Sequence, residues 1–331
     1  MEEVPITASK VSNRRVLITV LVVLMALASV SFMAIYQVMK SEAYARYMGV
    51  LNVSSERIAK IIRGVEMNAN NIFEDVSNHL DNPESVIAAL KGKANLNLDV
   101  RGYFAAFEPD YFPEKGTWFE PYIYQPEYGG FEYRQVGSAR HNYTKSPWYI
   151  QAKAQNLSFW SDPYYYYDGT SMSGHYCTFV KPIYDSKGDL ACICGADLKF
   201  GWLLKELEWI NEMNKSSKVL NKYHLFQDYD YNTIILNNDG TCVENPEGKT
   251  ITVTDKEVLK NLVQKKTGVA NIDIDGKACT MFYGPIEFVN WTTAIVVPNR
   301  DFLKPMLPIG GILLSIVVVG MIIVWFVCKK R

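Results

Sequence analysis

Two long uncharged blocks, one near each end of the chain, constrain most strongly what this sequence can fold into. Val16–Met39 contains no charged residue over 24 positions, and Met306–Cys328 contains none over 23. Each block is long enough to cross the hydrocarbon core of a bilayer, which takes about 20 helical residues. The first block is longer than the apolar part of a signal peptide and lacks a small-residue cleavage site, although a cleaved signal remains its alternative interpretation. We therefore predict two transmembrane helices, at 16–39 and 306–328.

Basic residues flank both blocks on the side that faces a chain end. Lys10, Arg14 and Arg15 precede the first block, and Lys329, Lys330 and Arg331 follow the second. Because positive flanks stay on the cytoplasmic side, this pattern predicts cytoplasmic tails at 1–15 and 329–331 and an extracytoplasmic region at 40–305. The prediction is a multi-pass protein of the cell (inner) membrane. The net charge of −1 indicates no general affinity for nucleic acid.

The segment after the first block predicts a long stalk helix over residues 40–82. Apolar residues recur three or four positions apart, which is a near-heptad pattern, at Ile58, Ile62, Val65, Ala69, Ile72, Val76 and Leu80. A helix with one apolar stripe must bury that stripe against its own domain or against its twin in a second chain. We therefore predict either packing on the domain or a homodimer through the stalk helix, and the two can coexist.

The rest of the extracytoplasmic region predicts two α+β units built on antiparallel sheets with flanking helices. The first, membrane-distal unit covers 83–210, and the second, membrane-proximal unit covers 223–300. β-Branched and aromatic runs predict the strands, which for the first unit are Val100–Glu108, Trp118–Tyr124, Phe131–Val136, Tyr176–Tyr184 and Leu190–Leu198, and for the second are Tyr231–Asn237, Gly268–Ile274, Lys277–Pro285 and Trp291–Val297. A connecting helix is expected at Trp202–Ile210.

The stretch 143–197 carries the strongest indication of a binding site. Its short helix is followed by a loop crowded with rings and a few carboxylates, namely Trp160, Tyr164, Tyr165, Tyr166 and Tyr167 beside Asp162 and Asp168. Many rings with few polar groups are typical of a small-molecule pocket. A tyrosine-rich surface loop packed on a sheet is the alternative.

The sequence offers little support for metal, cofactor or catalytic chemistry. His141 and His175 have no partner at ligand spacing, so we predict no metal and no cofactor. No phosphate loop, nucleophile elbow or zinc-protease motif occurs, and we therefore predict that the chain is not an enzyme. The extracytoplasmic cysteines are expected to be small core residues, with one disulfide possible, at Cys177, Cys192, Cys194, Cys242 and Cys279.

Three segments together resemble double Cache (dCache) extracytoplasmic sensors of bacterial transmembrane receptors: SPWYIQA, WSDPY and PIYDSKGDLACICGADL. The resemblance covers residues 40 to 305. It implies two PAS-like units in tandem on the long helix, with a ligand bound in the membrane-distal unit. The longer strings NIFEDVSNHLDNPESV and FEPDYFPEKGTWFEPY resemble sensors of Bacteroidota that precede HAMP and sporulation-type serine/threonine phosphatase domains.

The resemblance also implies site residues. In members of the family that bind amino acids, a Trp-Tyr pair, a Tyr and a strand-end Asp line the pocket, and these roles fall on Trp148, Tyr149, Tyr164 and Asp197. An Asp carboxylate pairs with an ammonium group while aromatic faces add cation–π attraction. The alternatives are that Trp148 and Tyr149 are core rings and that Asp197 caps a following helix.

Two positions depart from the amino-acid pattern. Ser146 stands where the family has the Arg that binds the ligand carboxylate, with Lys145 beside it, and Lys is a poorer bidentate partner. Tyr166 replaces an Asp, and the nearest carboxylate is then Asp168. We therefore include Lys145 and Asp168 as candidate ligand-binding residues and predict an amino acid, an amine or another metabolite as the ligand.

These observations predict a membrane sensor that binds a small extracytoplasmic ligand and passes a conformational change through its membrane helices. The sequence ends three residues after the second block. Two expectations follow: the chain is a fragment of a longer receptor, or it signals through a cytoplasmic or membrane partner. The alternative function is a membrane-anchored binding or scaffold protein that recognises another protein.

Overall fold

The computed structural model describes residues 13–126, 129–166, 174–199, 205, 209, 232–244, 252–274, 276–300 and 306–330. Within these residues the longer helices are α1 (Asn13–Ser77), α2 (Pro83–Gly92), α3 (Pro147–Gln155), α4 (Lys256–Val263) and α5 (Met306–Lys330). Helix α1 has 65 residues, which corresponds to a length of about 100 Å at 1.5 Å per residue. The predicted connecting helix at Trp202–Ile210 lies almost entirely outside the described residues.

Two antiparallel sheets follow α1 along the chain. The distal sheet contains β1 (Val100–Phe107), β2 (Pro121–Tyr124), β3 (Glu132–Gln135), β4 (Phe159–Trp160), β5 (Tyr164–Tyr166), β6 (Gly174–Tyr184) and β7 (Leu190–Lys199). Its strand order is β3-β2-β1-β7-β6-β4, and β5 also pairs with β6. The proximal sheet contains β8 (Asn232–Asn237), β9 (Cys242–Glu244), β10 (Gly268–Ile274), β11 (Lys277–Pro285) and β12 (Trp291–Pro298), in the order β10-β11-β12-β8-β9. The predicted α+β class is confirmed.

Local sequence signals explain where several elements begin and turn. Helix α2 starts at Pro83, and the side chain of Asn82 accepts a hydrogen bond from Ser85 N, which satisfies one of the free amides of the first turn. Asp255 caps α4 in the same way by accepting from the amides of Glu257 and Val258. These caps fix the ends of the short helices that flank each sheet.

The apolar stripe of the stalk is buried within its own chain. Six of the seven stripe residues have no exposed surface (Ile58, Ile62, Val65, Ala69, Ile72 and Val76), and Leu80 packs against the same core. This core lies between α1, α2 and one face of the distal sheet, where the Phe73 ring stacks on Phe179 at 6.3 Å. The homodimer through the stalk stays a prediction, and it would use other positions of α1.

The proximal sheet packs on an earlier part of the same helix. Tyr47 and Leu51 of α1 are buried against Phe282 and Ile295 of the sheet, and the rings of Tyr47 and Phe282 are 5.2 Å apart. Helix α1 therefore packs against both sheets. The proximal sheet contacts the part of α1 nearer the apolar block, and the distal sheet contacts the part farther from it.

The two apolar blocks lie side by side. By length and composition, the apolar parts of α1 and α5 are each able to span a membrane, and almost none of their surface is buried inside the protein. Gly310 approaches the Phe32 ring and Gly320 approaches Leu24. Residue numbers therefore increase along α5 in the direction in which they decrease along α1, so the two helices are antiparallel. Residues 13 and 330 therefore lie at the same end of this helix pair.

Two local features differ from, or refine, the sequence predictions. Part of the predicted aromatic loop forms strands, because β4 and β5 both pair with β6. The five described cysteines are free thiols, and Cys177, Cys192 and Cys194 are fully buried in the distal core. The disulfide that the sequence left open is therefore not present among them.

Candidate functional site

A cavity of about 490 Å³ opens on the face of the distal sheet that is turned away from the stalk. Helix α3 and the segment around β5 form its walls. Its lining residues are Phe104, Glu120, Tyr122, Val136, His141, Ser146, Pro147, Trp148, Gln151, Ser161, Asp162, Pro163, Tyr164, Tyr165, Tyr166, Tyr176 and Asp197. The volume lies within the range of small-molecule sites, which runs from about 300 to 1,000 Å³.

Two glycines in the central strands make room for the rings beneath this cavity. A Cβ atom on Gly195 of β7 would overlap the ring of Phe104. A Cβ atom on Gly102 of β1 would overlap the ring of Tyr122 in the same way. Only glycine permits this close approach of ring and backbone, so both rings lie flat over the sheet and form the cavity floor.

Asp197 lies within β7 at the floor of the cavity, and its carboxylate is surrounded by hydroxyl groups. Thr178 donates to Oδ1 over 2.6 Å, and Tyr122 donates to Oδ2 over 3.0 Å. The Tyr164 hydroxyl lies 3.4 Å from Oδ1 and 2.7 Å from the Thr178 hydroxyl. These contacts fix the orientation of the carboxylate and place it in a strand rather than at a helix cap.

Burial disfavours the charged form of Asp197. The side chain is only 8% exposed, and this burial raises the pKa of its carboxyl group to about 6, although the hydrogen bonds from Thr178, Tyr122 and Tyr164 act in the opposite direction. A buried acid with a shifted pKa in a cleft is a common mark of a functional site. A cation bound beside Asp197 would restore its ionised form.

Glu120 is a second buried carboxylate in the same cavity. It is 4% exposed, and burial together with the charge of Asp197 raises its pKa well above the usual value. Its Oε2 atom has no hydrogen-bond partner within the protein. His141 Nε2 lies 3.7 Å from this atom, which is too long for a hydrogen bond but allows ionic attraction when the imidazole is protonated.

Aromatic side chains form the remaining walls. The Trp148 ring lies 5.0 Å from the ring of Phe104. Tyr164 and Tyr166 on β5 face Tyr176 on β6, at ring distances of 6.4 and 6.5 Å. The cavity therefore combines apolar ring faces with two buried carboxylates, which suits a compact ligand with an apolar body and positive charge.

The structure brings three of the predicted residues together, since Trp148, Tyr164 and Asp197 all line the cavity. Tyr149 lies elsewhere, because consecutive helical residues point about 100° apart. Its ring packs on Tyr143 at 5.5 Å, and its hydroxyl donates to Glu108 over 2.8 Å. Lys145 is exposed on the adjoining turn and is not among the lining residues.

Asp168 lies outside the described residues, so its predicted role is untested. Glu120 and Tyr122 were not among the site residues predicted from the sequence, and His141 was considered only as a metal ligand. The predicted strand Trp118–Tyr124 contained a signal, because alternate residues of a strand share one face. Glu120 and Tyr122 are two positions apart, so both could have been predicted to lie on the same face.

The sequence of residues 86–205 matches a family model described as methyl-accepting chemotaxis protein-like, first PDC sensor domain. Over these residues the chain resembles a PDC sensor domain. The matched segment contains the whole cavity, from Phe104 to Asp197. The sequence has no significant match among curated proteins.

Solved structures of sensor domains share the fold of this chain over most of its length. The periplasmic sensory domain of the Campylobacter jejuni chemoreceptor Tlp1 is 15% identical, with a TM-score of 0.65 over 81% of this chain and 99% of that one. The extracellular domain of the putative histidine kinase mmHK1S-Z3 is 20% identical, with a TM-score of 0.59 over 79% and 96%.

A third similar structure is the ligand-binding domain of the Pseudomonas fluorescens chemoreceptor CtaA in complex with L-isoleucine. It is 16% identical, with a TM-score of 0.54 over 81% of this chain and 97% of that one. The resemblance to double Cache sensors is thereby confirmed for the fold. The link to Bacteroidota and to HAMP and phosphatase domains stays a prediction.

Proposed function

We propose that this chain is a transmembrane sensor module that binds a small extracytoplasmic ligand in the cavity of its membrane-distal unit. The observation that carries the proposal is the cavity itself, a ring-walled space of about 490 Å³ above the buried carboxylate of Asp197. The PDC fold supports it, since similar domains of chemoreceptors have been solved with L-isoleucine and L-valine bound. Trp148, Tyr164 and Asp197 are the proposed ligand contacts from the predicted set.

The same proposal assigns the chain to the cell membrane. Helices α1 and α5 would both cross the bilayer as an antiparallel pair, with the two sheets outside and both chain ends in the cytoplasm. The basic residues that flank the two helices support this orientation. The helix pair and the packing of both sheets on α1 support a role in passing a conformational change inward.

Filling the cavity is expected to abolish ligand binding. In the Ser146→Phe variant the new ring would occupy the cavity at the start of α3, where the serine side chain makes no capping hydrogen bond. The full chain in lipid nanodiscs is heated with a panel of amino acids, amines and organic acids, and tryptophan fluorescence reports Tm. A ligand that raises the Tm of the wild type should leave that of Ser146→Phe unchanged.

The matched control is Ile150→Phe, which adds the same ring on the exposed side of the same helix, where the isoleucine is 55% exposed. This control should keep the full ligand shift. A shift that survives Ser146→Phe would place the ligand outside the cavity and contradict the proposal.

Signal transfer needs a connection between the cavity and the stalk, and β4 provides one. Ser161 lines the cavity, and the preceding residue, Trp160, donates its indole N–H to Glu66 of α1 over 2.7 Å. At the end of β4, Ser161 therefore faces the cavity and Trp160 faces the stalk. A ligand that binds one arrangement of this segment better than another would bias the position of α1.

The Trp160→Phe variant, which keeps an apolar ring but lacks the N–H donor, is expected to separate binding from signalling. Ligand affinity should stay within about threefold, because the lost hydrogen bond to Glu66 lies on the stalk side and not in the cavity. The ligand-induced change in distance between spin labels on α1 and β6 should fall by at least half. An unchanged distance response would exclude this contact as the connection.

A further inference from the structure

The charge of the cavity constrains the class of ligand. Glu120 and Asp197 are both more than nine-tenths buried. Among the described residues that line the cavity there is no Lys or Arg, and His141 is the one basic side chain. Within the described lining, acidic side chains therefore outnumber basic ones.

The free oxygen of Glu120 shows what the missing partner must provide. A buried acceptor without a donor costs about 1–3 kcal/mol, and more when the group is charged. Glu120 Oε2 is such an atom. Asp197 differs, because hydroxyl groups already donate to both of its oxygens. A ligand with an N–H group beside Glu120 would supply the donor, and its positive charge would be shared with Asp197.

The same groups disfavour a ligand that carries a carboxylate. The carboxylate of an amino acid would lie close to the ionised form of Asp197, and like charges repel strongly in a water-poor cavity. Ser146, which also lines the cavity, carries no charge that could bind this carboxylate. His141 already faces Glu120 at 3.7 Å and cannot serve both carboxylates equally.

We propose that the ligand of this cavity is a small organic amine that has no carboxylate and that donates an N–H hydrogen bond to Glu120. This inference rests on the proposed function, because it assigns a ligand class to the same cavity. Asp197 balances the ammonium charge, and the ring faces of Trp148, Tyr122 and Tyr164 surround the cation. Glu120 thereby becomes a specificity-determining residue.

The test compares amines with the amino acids from which they differ only by the carboxylate. Tyramine is paired with tyrosine, histamine with histidine, putrescine with ornithine and agmatine with arginine, and choline represents a cation without N–H. Binding to the full chain in nanodiscs is measured by calorimetry at pH 7.5. At least one amine should bind at least 30-fold more tightly than its amino acid, and choline should bind more weakly than that amine.

The Glu120→Gln variant should weaken binding of that amine roughly 10- to 100-fold, the value expected for a hydrogen bond to a charged group. Glu132→Gln, at an exposed strand position outside the cavity lining, is the matched control and should bind like the wild type. The Tm of each variant without ligand shows that both are folded. Unchanged amine affinity in Glu120→Gln would overturn the assignment of Glu120.

The remaining outcomes separate this inference from the proposed function. An amino acid or an uncharged compound that binds as tightly as any amine, and whose binding is lost in Ser146→Phe, overturns the amine inference and leaves the sensor cavity in place. A panel in which no amine binds also overturns the inference. Binding that is insensitive to Ser146→Phe overturns both.

Discussion

The Phe73→Ala variant should lose about 3–5 kcal/mol of stability, the usual cost of removing a fully buried aromatic ring. Phe73 has no exposed surface and stacks on Phe179 in the core between the stalk and the distal sheet. Its removal would leave a cavity at the point where α1 contacts β6. For a domain of this size we expect Tm to fall on the order of 10 °C.

The matched control is Met67→Ala. Met67 lies on the same helix but is 64% exposed, so its replacement should change stability by less than about 0.5 kcal/mol. The change in the free energy of unfolding of each variant is measured by urea unfolding of the full chain in nanodiscs, with tryptophan fluorescence as the signal. A Phe73→Ala variant as stable as Met67→Ala would mean that the stalk does not pack on the distal sheet.

The burial of the stalk stripe shows what periodicity alone can predict. The three- and four-residue spacing from Ile58 to Val76 identified the buried face correctly, because any partner for that face must lie on the same side of the helix. The spacing does not show which element covers the stripe, since a second helix and a sheet can both bury an apolar stripe of this width. The sheet is assembled from strands that end more than 100 residues later, at Lys199.

The candidate site was predictable in part for a similar reason. Trp148, Tyr164 and Asp197 were selected by a family pattern, and the structure brings them to one cavity. Tyr149 belongs to the same pattern, yet it points to Glu108 on another side of α3. Trp148 and Tyr149 point about 100° apart on α3, so both cannot face the cavity, and the sequence does not show which of the two does.

Glu120 was not predicted as a site residue because glutamate is mostly exposed in proteins. The predicted strand Trp118–Tyr124 does not by itself show which of its faces is buried. Its burial follows from the pairing of β2 with both β1 and β3, which places the residue just before β2 over the sheet. Long-range pairing of this kind cannot be derived from composition.

A buried carboxylate that is kept for binding is expected to reduce the stability of the ligand-free protein. Burial raises the pKa of Asp197 from 3.8 to about 6, so the folded state binds more protons than the unfolded state between these values. Stability then falls as the pH rises from about 4 to above 6, by about 3 kcal/mol in total, at 1.36 kcal/mol per pKa unit. Glu120, whose pKa is also raised, contributes with the same sign.

The Asp197→Asn variant is therefore expected to be more stable than the wild type at pH 7.5 by as much as about 3 kcal/mol, with little gain at pH 4. The amide resembles the protonated acid and can still hydrogen-bond to Thr178 and Tyr122. The same variant should lose affinity for a cationic ligand. Asp162→Asn, which removes an exposed carboxylate at the cavity rim, is the control and should show the wild-type dependence on pH.

Thermal unfolding of the full chain without ligand, measured between pH 4 and pH 8, tests this expectation directly. The difference in Tm between Asp197→Asn and the wild type should grow as the pH rises through about 6. A variant that is less stable than the wild type at pH 7.5, with an unchanged pH slope, would show that the surrounding hydroxyl groups hold Asp197 ionised. The carboxylate would then stabilise the fold, and its place in the cavity would no longer imply a stability cost that a bound cation relieves.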